Sequence, residues 1–236
     1  MSQGSVLVTC PTYAGKEYAL ERWLAAFNAL RYSDKAAYMV DNTGQGMGYF
    51  ERLKREGIKC SHLQPFKNWD DTFRRCWELI LAEALRGNHY WVYSVEADNI
   101  VAPESLSIMV ELALYANIHL VTHGYPLHKS ACKSSGVRED SFVYSEMGCM
   151  LMTTELLSRA LAEYDTYGSI PLSIFRTCEK YVGGYCQLQN RFSVEHLDGF
   201  EMEYWQFDPL NDAKTFCPAP VAPADYGSVR PPSLLN

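Results

Sequence analysis

Short apolar runs alternate with helical patterns through the first half of the chain, and this alternation limits the possible folds more than any other feature. The first run, residues 5–10, is rich in β-branched residues and ends at Pro11. Apolar residues then recur at helical spacing over 17–30, and a second apolar run, 36–40, ends at Asp41. A strand, a helix and a second strand before residue 45 predict a parallel sheet with helices packed on it.

The same pattern continues to residue 124 and becomes less regular beyond it. Up to that point the apolar spacing predicts helices at 49–55, 70–85 and 103–114, and strands at 58–65, 89–95 and 118–124. Further on we predict a polar loop at 125–141, an extended segment at 142–152, helices at 155–164 and 174–181, and a strand at 185–194. Five prolines from Pro218 onward preclude regular structure there.

Composition and charge exclude several classes of protein. With 47% hydrophobic and 21% charged residues among 236, the chain has the make-up of a globular protein, not that of a disordered segment or a coiled coil. A net charge of −7 argues against binding nucleic acid by phosphate neutralisation alone. The apolar runs are shorter than the ~18 residues needed to span a bilayer, and the first residues lack a signal-peptide pattern. We therefore expect a cytoplasmic protein without a membrane span.

The eight cysteines are scattered along the chain, and no two of them form a C-x-x-C pair. A chain of this length builds a core without the help of disulfides. The cysteines are therefore predicted to be mostly buried, reduced thiols, and their spacing argues against a zinc site.

Two carboxylates, Glu96 and Asp98, follow the predicted strand at 89–95. Strand ends of an open parallel sheet form its ligand crevice, and extended residues two apart point the same way. This placement lets both carboxylates reach one hard divalent cation, Mg²⁺ or Mn²⁺, which prefers oxygen ligands and shares its coordination with phosphate groups. The alternative is a solvated turn in which Asp98 and Asn99 cap the helix that begins near Pro103.

Polar residues also end the first two predicted strands. Asp41 is placed to accept hydrogen bonds from a nucleotide base or ribose, or, alternatively, to form an Asx turn before Gly44. The turn Pro11-Thr12-Tyr13 presents a hydroxyl and an aromatic ring that suit a base pocket, and equally suit ordinary packing. No G-x-G-x-x-G follows the first strand and no G-x-x-x-x-G-K-[ST] occurs, which argues against a dinucleotide fold and a P-loop nucleotidase.

Three strand ends agree with one known pattern in their order and spacing. The matching segments are Val6-Leu7-Val8-Thr9-Cys10-Pro11-Thr12-Tyr13, Met39-Val40-Asp41-Asn42-Thr43, and Tyr93-Ser94-Val95-Glu96-Ala97-Asp98-Asn99 with Pro103 beyond. Together they resemble the family 2 glycosyltransferases of the GT-A fold, over the first half of the chain.

The resemblance implies an α/β fold with a mostly parallel central sheet and helices on both faces. It implies one GT-A domain over 1–217, made of a Rossmann-like half that binds a nucleotide-sugar (1–124) and an acceptor half (125–217). The Pro-rich segment 218–236 would form a C-terminal tail.

By the same resemblance, the Pro11-Thr12-Tyr13 turn and Asp41 hold the nucleobase of the nucleotide-sugar. Members of the family also carry an asparagine or arginine that leans over the nucleotide, and segment 68–75 lies at the matching place. Arg74 and Arg75 are the candidates there. The alternative is that both arginines lie on a solvated helix face.

The resemblance also implies a metal site. In the family's D-x-D element, here Glu96-Ala97-Asp98, Asp98 binds the metal directly, and Glu96 contacts the ribose or reaches the metal through water. A strand-end histidine, His196 in the segment 192–196, matches the residue that supplies a further ligand. A neutral imidazole beside two carboxylates suits Mn²⁺. By itself, such a histidine has a structural role as its alternative.

The general base is the one catalytic role for which this chain lacks the family's usual residue. Inverting members place an aspartate, the general base, just before a helix with an arginine, and alignment on Ile174-Phe175-Arg176 puts Ser169-Ile170 at that place. Asp165 is the nearest upstream candidate for the catalytic base. Glu146, in a stretch that resembles the family's acceptor side, is the other. Either the base has moved, or the enzyme is of the retaining type, or the chain has lost activity.

The expected activity is hexosyltransferase-like: metal-dependent transfer of a sugar from a nucleotide-sugar, with a UDP-sugar as the expected donor and Mn²⁺ or Mg²⁺ as cofactor, to an acceptor hydroxyl. Two alternatives stay open. One is nucleotidyl transfer to a sugar phosphate, which calls for a basic, glycine-rich loop where this chain has only Ala14-Gly15-Lys16. The other is a nucleotide-sugar-binding protein without catalysis.

The acceptor is not identified by the sequence. The candidates are a glycan, a small molecule and, against the net charge, a modified nucleic acid. Histidines and basic residues in the loop at 125–141 suit an anionic acceptor, and a solvated lid is the alternative. Nothing in the sequence predicts the oligomeric state.

Overall fold

Strands form the framework of the structure, a computed structural model that describes residues 4–126, 142–143, 147–188, 191–197 and 204–205. The predicted tail at 218–236 and most of the predicted loop at 125–141 lie outside the described residues. In chain order, the strands are β1 (Val6–Thr12), β2 (Lys35–Asp41), β3 (Lys59–His62), β4 (Trp91–Val95), β5 (Asn99–Val101), β6 (Leu120–His123), β7 (Tyr125–Pro126), β8 (Phe142–Val143), β9 (Cys149–Thr153), β10 (Cys186–Leu188), β11 (Val194–Leu197) and β12 (Tyr204–Trp205).

Helices connect most of these strands, and polar side chains fix several of their first turns. In chain order they are a 3₁₀ helix (Ala14–Ala19), α1 (Leu20–Ala29), α2 (Gly48–Arg55), α3 (Trp69–Arg86), α4 (Ser105–Ala116), α5 (Thr154–Ala162), α6 (Tyr164–Tyr167) and α7 (Ile170–Val182). Asn68 caps α3 by accepting the Asp70 N–H, and Thr153 and Ser169 cap α5 and α7 in the same way. Among the helices of the described ranges, none has the length and apolar character to cross a bilayer.

Seven strands make the central sheet, in the order β10-β6-β9-β4-β1-β2-β3. β1 is parallel to β2 and β4, with Val6 beside Lys35 on one side and Trp91 on the other. β2 is parallel to β3, and β6 to β10, whereas β9 is antiparallel to both of its neighbours. The predicted mostly parallel sheet is confirmed, and β9 is its exception.

Alternation along the strands sends side chains into two separate cores. Val6 of β1 faces a layer that contains Trp23 of α1 and Leu106 of α4. Leu7 faces the opposite layer, where Trp77 of α3 and Ile174 of α7 are fully buried. Helices therefore cover both faces of the sheet, as predicted.

The predicted strand at 185–194 is confirmed only at Cys186–Leu188, and a separate strand begins at Val194. β10 belongs to the central sheet and pairs with β6, whereas β11 pairs with β5 in a separate three-stranded sheet, in the order β12-β11-β5. Hydrophobic alternation predicts which side chains of a strand are buried but not which strand pairs with it. The sequence pattern therefore did not separate the two short strands. β5 was not predicted, because its three residues lie in the connection between the predicted strand at 89–95 and the predicted helix at 103–114.

The small sheet lies at the carboxyl ends of the central strands, because β5 follows β4 after a turn of three residues. The ends of β1, β2 and β4 meet at this edge, as the parallel pairing requires. Every predicted strand-end residue of the first half is therefore carried to one side of the molecule.

Candidate functional site

A tight turn after β4 presents the two carboxylates. The Asn99 N–H donates to the Glu96 carbonyl at 2.9 Å and closes the turn between β4 and β5. The buried Asn99 side chain donates from Nδ2 to the Gly148 carbonyl at 2.9 Å. This second bond fixes the turn to the segment that enters β9, so the geometry of Glu96 and Asp98 is set by three strands.

The small sheet delivers the histidine. β11 pairs antiparallel with β5 so that His196 lies opposite Asn99, and the Leu197 N–H donates to the Asp98 carbonyl at 2.8 Å. His196 Nε2 lies 3.3 Å from Asp98 Oδ2. One ligand atom each from Glu96, Asp98 and His196 lie within 4.8 Å of one another. Residues about 100 positions apart in the chain thus form one cluster.

Asp98 is the electrostatic centre of this cluster. Its side chain has no exposed surface, its Oδ2 forms an ion pair with Lys16, and the Tyr18 hydroxyl oxygen lies 3.3 Å from this Oδ2. Burial alone would raise the pKa of Asp98, but the hydrogen bond and charge of His196, together with Lys16, hold this pKa well below its usual range. Asp98 is therefore ionised at neutral pH.

The donor set fits a divalent cation. Asp98 Oδ1 is buried and has no hydrogen-bond partner among the described residues, so one charged oxygen of the cluster is unsatisfied. A second carboxylate and an imidazole lie within reach of it. Oxygen ligands with one nitrogen suit Mg²⁺ or Mn²⁺, and three side chains leave positions of an octahedral ion for water or phosphate oxygens.

Lys16 keeps its charge in this surrounding. Burial alone would lower the pKa of its ammonium group, but Asp98 and Glu96 raise that pKa above its ordinary value. The cluster of two carboxylates is thus partly neutralised by an internal cation.

A cavity of about 140 Å³, the first cavity, opens beside the carboxylates. Its walls carry three aromatic side chains, Tyr13, Trp69 and Phe73. Tyr13 and Trp69 are 43% and 59% exposed, so part of each ring is accessible to a ligand. Polar and charged side chains complete the lining, among them Thr12, Lys16, Asn42, Glu96 and Asp98. Flat apolar walls beside an acidic, metal-competent corner suit a nucleotide.

Asp41, predicted to hold the base or ribose, is fully buried at the end of β2. Its Oδ1 accepts from the Thr43 N–H at 3.0 Å and from the Thr43 hydroxyl at 2.5 Å, and its Oδ2 lies 2.9 Å from His62 Nδ1. These contacts are those of the Asx turn that the sequence left open as an alternative. The next residue, Asn42, lines the first cavity. A direct contact between Asp41 and a base stays a prediction.

A second cavity of about 290 Å³ adjoins the first. The two share Trp69, Phe73, Glu96 and Met147 in their walls. The second cavity is also lined by Asp70 and by Ser169, Ile170 and Pro171 at the start of α7. The family resemblance aligns Ser169 and Ile170 with the base, and in the structure Ser169 Oγ accepts the Leu172 N–H as a helix cap.

Of the other predicted residues, Arg74 and Asp165 lie beside Tyr164 in the wall of the second cavity, whereas Arg75 lies elsewhere on α3. Arg74 Nη1 donates to Asp165 Oδ1 at 3.2 Å, and its guanidinium lies over the Tyr164 ring, which lines the second cavity. The Asp165 side chain is 90% exposed. Arg75 pairs with Glu78 along α3. Glu146 and the histidines and basic residues at 128–138 lie outside the described residues. The roles of Arg74 and Asp165 stay predictions.

The structure brings to the site five residues to which sequence reasoning assigned no role: Lys16, Tyr18, Asn42, Trp69 and Phe73. One signal was present, since Lys16 follows the first strand by four residues and that strand ends at the ligand edge. The aromatic residues of α3 carry no such signal, because helical spacing also predicts them as core.

A larger cavity, of about 890 Å³, lies at the other edge of the central sheet. Its lining includes Ser5, His89 and Thr154, which precede β1 and β4 and follow β9. This edge holds the amino ends of the parallel strands, whereas ligands of open α/β sheets bind at the carboxyl ends. We therefore assign the site by chemistry and not by cavity size.

Comparison with known proteins gives similarity in structure only. No model of a known protein family matches the chain, and no curated protein matches its sequence. Among solved structures, the mannosyltransferase PcManGT from Pyrobaculum calidifontis, in complex with GDP-Man and Mn²⁺, matches with a TM-score of 0.54 and 15% identity. That match covers 79% of this chain and 54% of PcManGT.

TarS from S. aureus matches with a TM-score of 0.53 and 15% identity, over 80% of this chain and 36% of TarS. A structure of TarS residues 1–349 in complex with UDP matches with a TM-score of 0.50 and 14% identity, over 78% of this chain and 57% of the other. This chain thus spans between 36% and 57% of the proteins it resembles. The fold is that of GT-A glycosyltransferases, as the sequence predicted.

Proposed function

We propose that this protein is a glycosyltransferase that moves a sugar from a nucleoside-diphosphate sugar to an acceptor hydroxyl and depends on a divalent cation. One observation carries the proposal: Asp98 is a buried, ionised carboxylate with an unsatisfied oxygen, and it lies within 4.8 Å of Glu96 and His196 beside a cavity with aromatic walls. The GT-A fold supports the same conclusion, because this cluster lies at its ligand edge.

The residues of the first cavity are suited to the nucleoside. Tyr13 and Trp69 offer exposed ring faces for stacking on a base, and Thr12 and Asn42 supply polar groups for its edge or for the ribose. The resemblance to family 2 glycosyltransferases predicts a UDP-sugar, and the first cavity offers the aromatic and polar groups that its nucleoside needs. A UDP-sugar is therefore the proposed donor.

Glu96, Asp98 and His196 are the proposed ligands of the cation. Bound there, Mn²⁺ or Mg²⁺ neutralises the charge that develops on the leaving diphosphate. The protein's part is to keep Asp98 ionised and to fix the three side chains at the strand ends, so that the diphosphate is held at one end of the first cavity.

The second cavity is the proposed site for the transferred sugar and the acceptor, since it shares Glu96 with the first. An inverting reaction needs a carboxylate within hydrogen-bond reach of the acceptor hydroxyl. Asp165 and Glu146 are the bases predicted from sequence. Asp70 lines this cavity and is a third candidate on the basis of its position.

The proposal is tested by incubating the protein with UDP-glucose, UDP-N-acetylglucosamine and GDP-mannose, each with Mn²⁺, and measuring release of UDP or GDP. We expect turnover or slow hydrolysis of one UDP-sugar, and loss of about 100-fold or more of it in Asp98→Asn. Glu111→Gln, on the exposed face of α4, is the matched control and retains full activity.

Other results would point to the alternatives. Pyrophosphate release from a nucleoside triphosphate and a sugar phosphate would indicate a nucleotidyltransferase. Binding of a nucleotide-sugar without any turnover would indicate a binding protein. Equal turnover by wild type and Asp98→Asn would contradict the assigned role of Asp98.

A further inference from the structure

Lys16 supplies a positive charge to the acidic cluster of Glu96 and Asp98. Its Nζ forms an ion pair with Asp98 Oδ2, and Glu96 also stabilises its positive charge. The carboxylate in this pair is completely buried, whereas the Lys16 side chain is 26% exposed and lines the first cavity. One end of the pair is therefore fixed, and the other is open to the cavity.

The backbone around Lys16 is anchored on three sides. The Lys16 N–H donates to the Tyr13 carbonyl at 2.8 Å, and the Ala14 N–H donates to Thr43 Oγ1 at 2.9 Å. The Tyr18 hydroxyl donates to the Leu197 carbonyl at 3.1 Å, which ties the same 3₁₀ helix to β11. With the backbone held in this way, a change of side-chain rotamer is enough to move the ammonium group.

A divalent cation and the Lys16 ammonium group repel one another if both lie on the Asp98 carboxylate. Unlike charges at a few ångströms attract strongly when water is partly excluded, and like charges repel by the same rule. For Mn²⁺ or Mg²⁺ to bind the Asp98 carboxylate, the Lys16 ammonium group must therefore leave it and bind another anion. The four-carbon stem gives the ammonium group reach, and phosphate is a partner that such a compact charge binds well.

We propose that Lys16 is an exchangeable counter-ion, which neutralises Asp98 and Glu96 when no donor is bound and moves onto the donor's diphosphate when donor and divalent cation enter together. The nature of the donor rests on the proposed function. The exchange makes metal binding depend on the nucleotide: a free cation competes with the internal ammonium group, and the diphosphate removes that competitor. Positive coupling between the two ligands follows, beyond their direct contact.

The test is a pair of titrations on the full chain, one of Mn²⁺ without nucleotide and one of UDP in the presence of a chelator. In Lys16→Met we expect Mn²⁺ to bind about tenfold tighter than in wild type, because its competitor is gone. We expect UDP without metal to bind several-fold more weakly, because its ammonium partner is gone. The two affinities thus change in opposite directions.

Two further variants make the result specific. Lys16→Arg retains the charge and forms a stronger, forked pair with Asp98, so it is expected to bind Mn²⁺ no tighter than wild type. Lys54→Met, on the exposed surface of α2, removes the same charge elsewhere and is expected to change neither affinity. If Lys16→Met does not fold, Lys16→Arg decides, since tighter Mn²⁺ binding by that variant contradicts the proposal.

The outcomes separate this inference from the proposed function. Unchanged or weaker Mn²⁺ binding by a folded Lys16→Met overturns the inference, and so does unchanged UDP binding. If both affinities shift as expected while no sugar is transferred from any donor, the exchange stands and the proposed glycosyl transfer fails.

Discussion

At the scale of single residues, Asp98 combines features that are costly to a fold and useful to a site. Its carboxylate is fully buried, and one of its oxygens lacks a hydrogen-bond partner among the described residues. An unsatisfied buried charge destabilises a protein by roughly several kcal/mol. The neighbouring His196 and Lys16 reduce that cost, and the carboxylate remains available to a ligand.

Gly15 is a second residue on which the site depends, because it leaves space for the Tyr13 ring. A Cβ placed there would lie 2.3 Å from Cε2 of the Tyr13 ring, so alanine must displace this ring from the wall of the first cavity. We predict that Gly15→Ala weakens UDP binding several-fold with little change in the melting temperature, because the ring is exposed and free to move. Calorimetric titration and a thermal melt measure the two effects.

Gly48 provides the matched control for that prediction. A Cβ there meets no atom within 4 Å, and the residue begins α2. Gly48→Ala is therefore expected to leave UDP binding unchanged and to stabilise the fold by up to about 1 kcal/mol through helix propensity. If Gly15→Ala binds UDP as tightly as Gly48→Ala does, Tyr13 does not contact the nucleotide.

At the scale of elements, the long helices and strands follow from the sequence pattern and the short strands do not. The predicted strand at 36–40 and helix at 70–85 match β2 and α3 within one residue at each end, because long periodic segments specify burial strongly. The short strands β5 and β11 carry little pattern, and their pairing is set by tertiary contacts. The small sheet that delivers His196 was therefore not predictable, although the residue itself was named.

The candidate site likewise combines residues that the sequence predicted with residues that only the structure revealed. Glu96, Asp98 and His196 were named because strand ends and a family resemblance mark them. Lys16 lies in a 3₁₀ helix and Trp69 is the first residue of α3. At such places the sequence spacing does not predict which way a side chain points. Asp41 was named correctly as a strand-end carboxylate, but its bonds to Thr43 and His62 depend on the turn that follows β2.

The end of β6 carries a histidine whose protonation opposes folding. His123 Nδ1 donates to the Gly124 carbonyl at 2.7 Å, its Nε2 is buried without a hydrogen-bond partner among the described residues, and its ring stacks on Phe192 at 3.9 Å. Burial lowers the pKa of His123 to about 4, while the bond to Gly124 acts weakly in the other direction. The folded state thus favours the neutral ring.

This shift predicts a pH dependence of stability. The folded pKa lies below the unfolded value of about 6.5, so the stability from neutral His123 is fully present above pH 6.5 and is lost as the pH falls from 6.5 towards 4. The loss is at most about 3 kcal/mol. Urea unfolding of wild type and His123→Phe at pH 7.5 and 5 measures it, and we expect a smaller fall in the variant. An equal fall in both proteins would mean that other groups cause it.

At the scale of the whole molecule, the parallel sheet gathers the functional groups at one edge. The first and second cavities lie side by side at the carboxyl ends of the strands and share Glu96, so under the proposed function donor and acceptor meet at this residue. The chain spans little more than half, or less, of the solved glycosyltransferases that it resembles.

The central claim is that Glu96, Asp98 and His196 together hold one divalent cation that a nucleoside diphosphate requires. The most direct measurement is the amount of Mn²⁺ bound per chain, read from the electron paramagnetic resonance of free Mn²⁺, in the presence of UDP. We predict one tightly bound ion in wild type and none in Asp98→Asn, with UDP affinity falling when Mn²⁺ is withdrawn. Full Mn²⁺ binding by Asp98→Asn, or UDP affinity that does not change without the metal, would contradict this account.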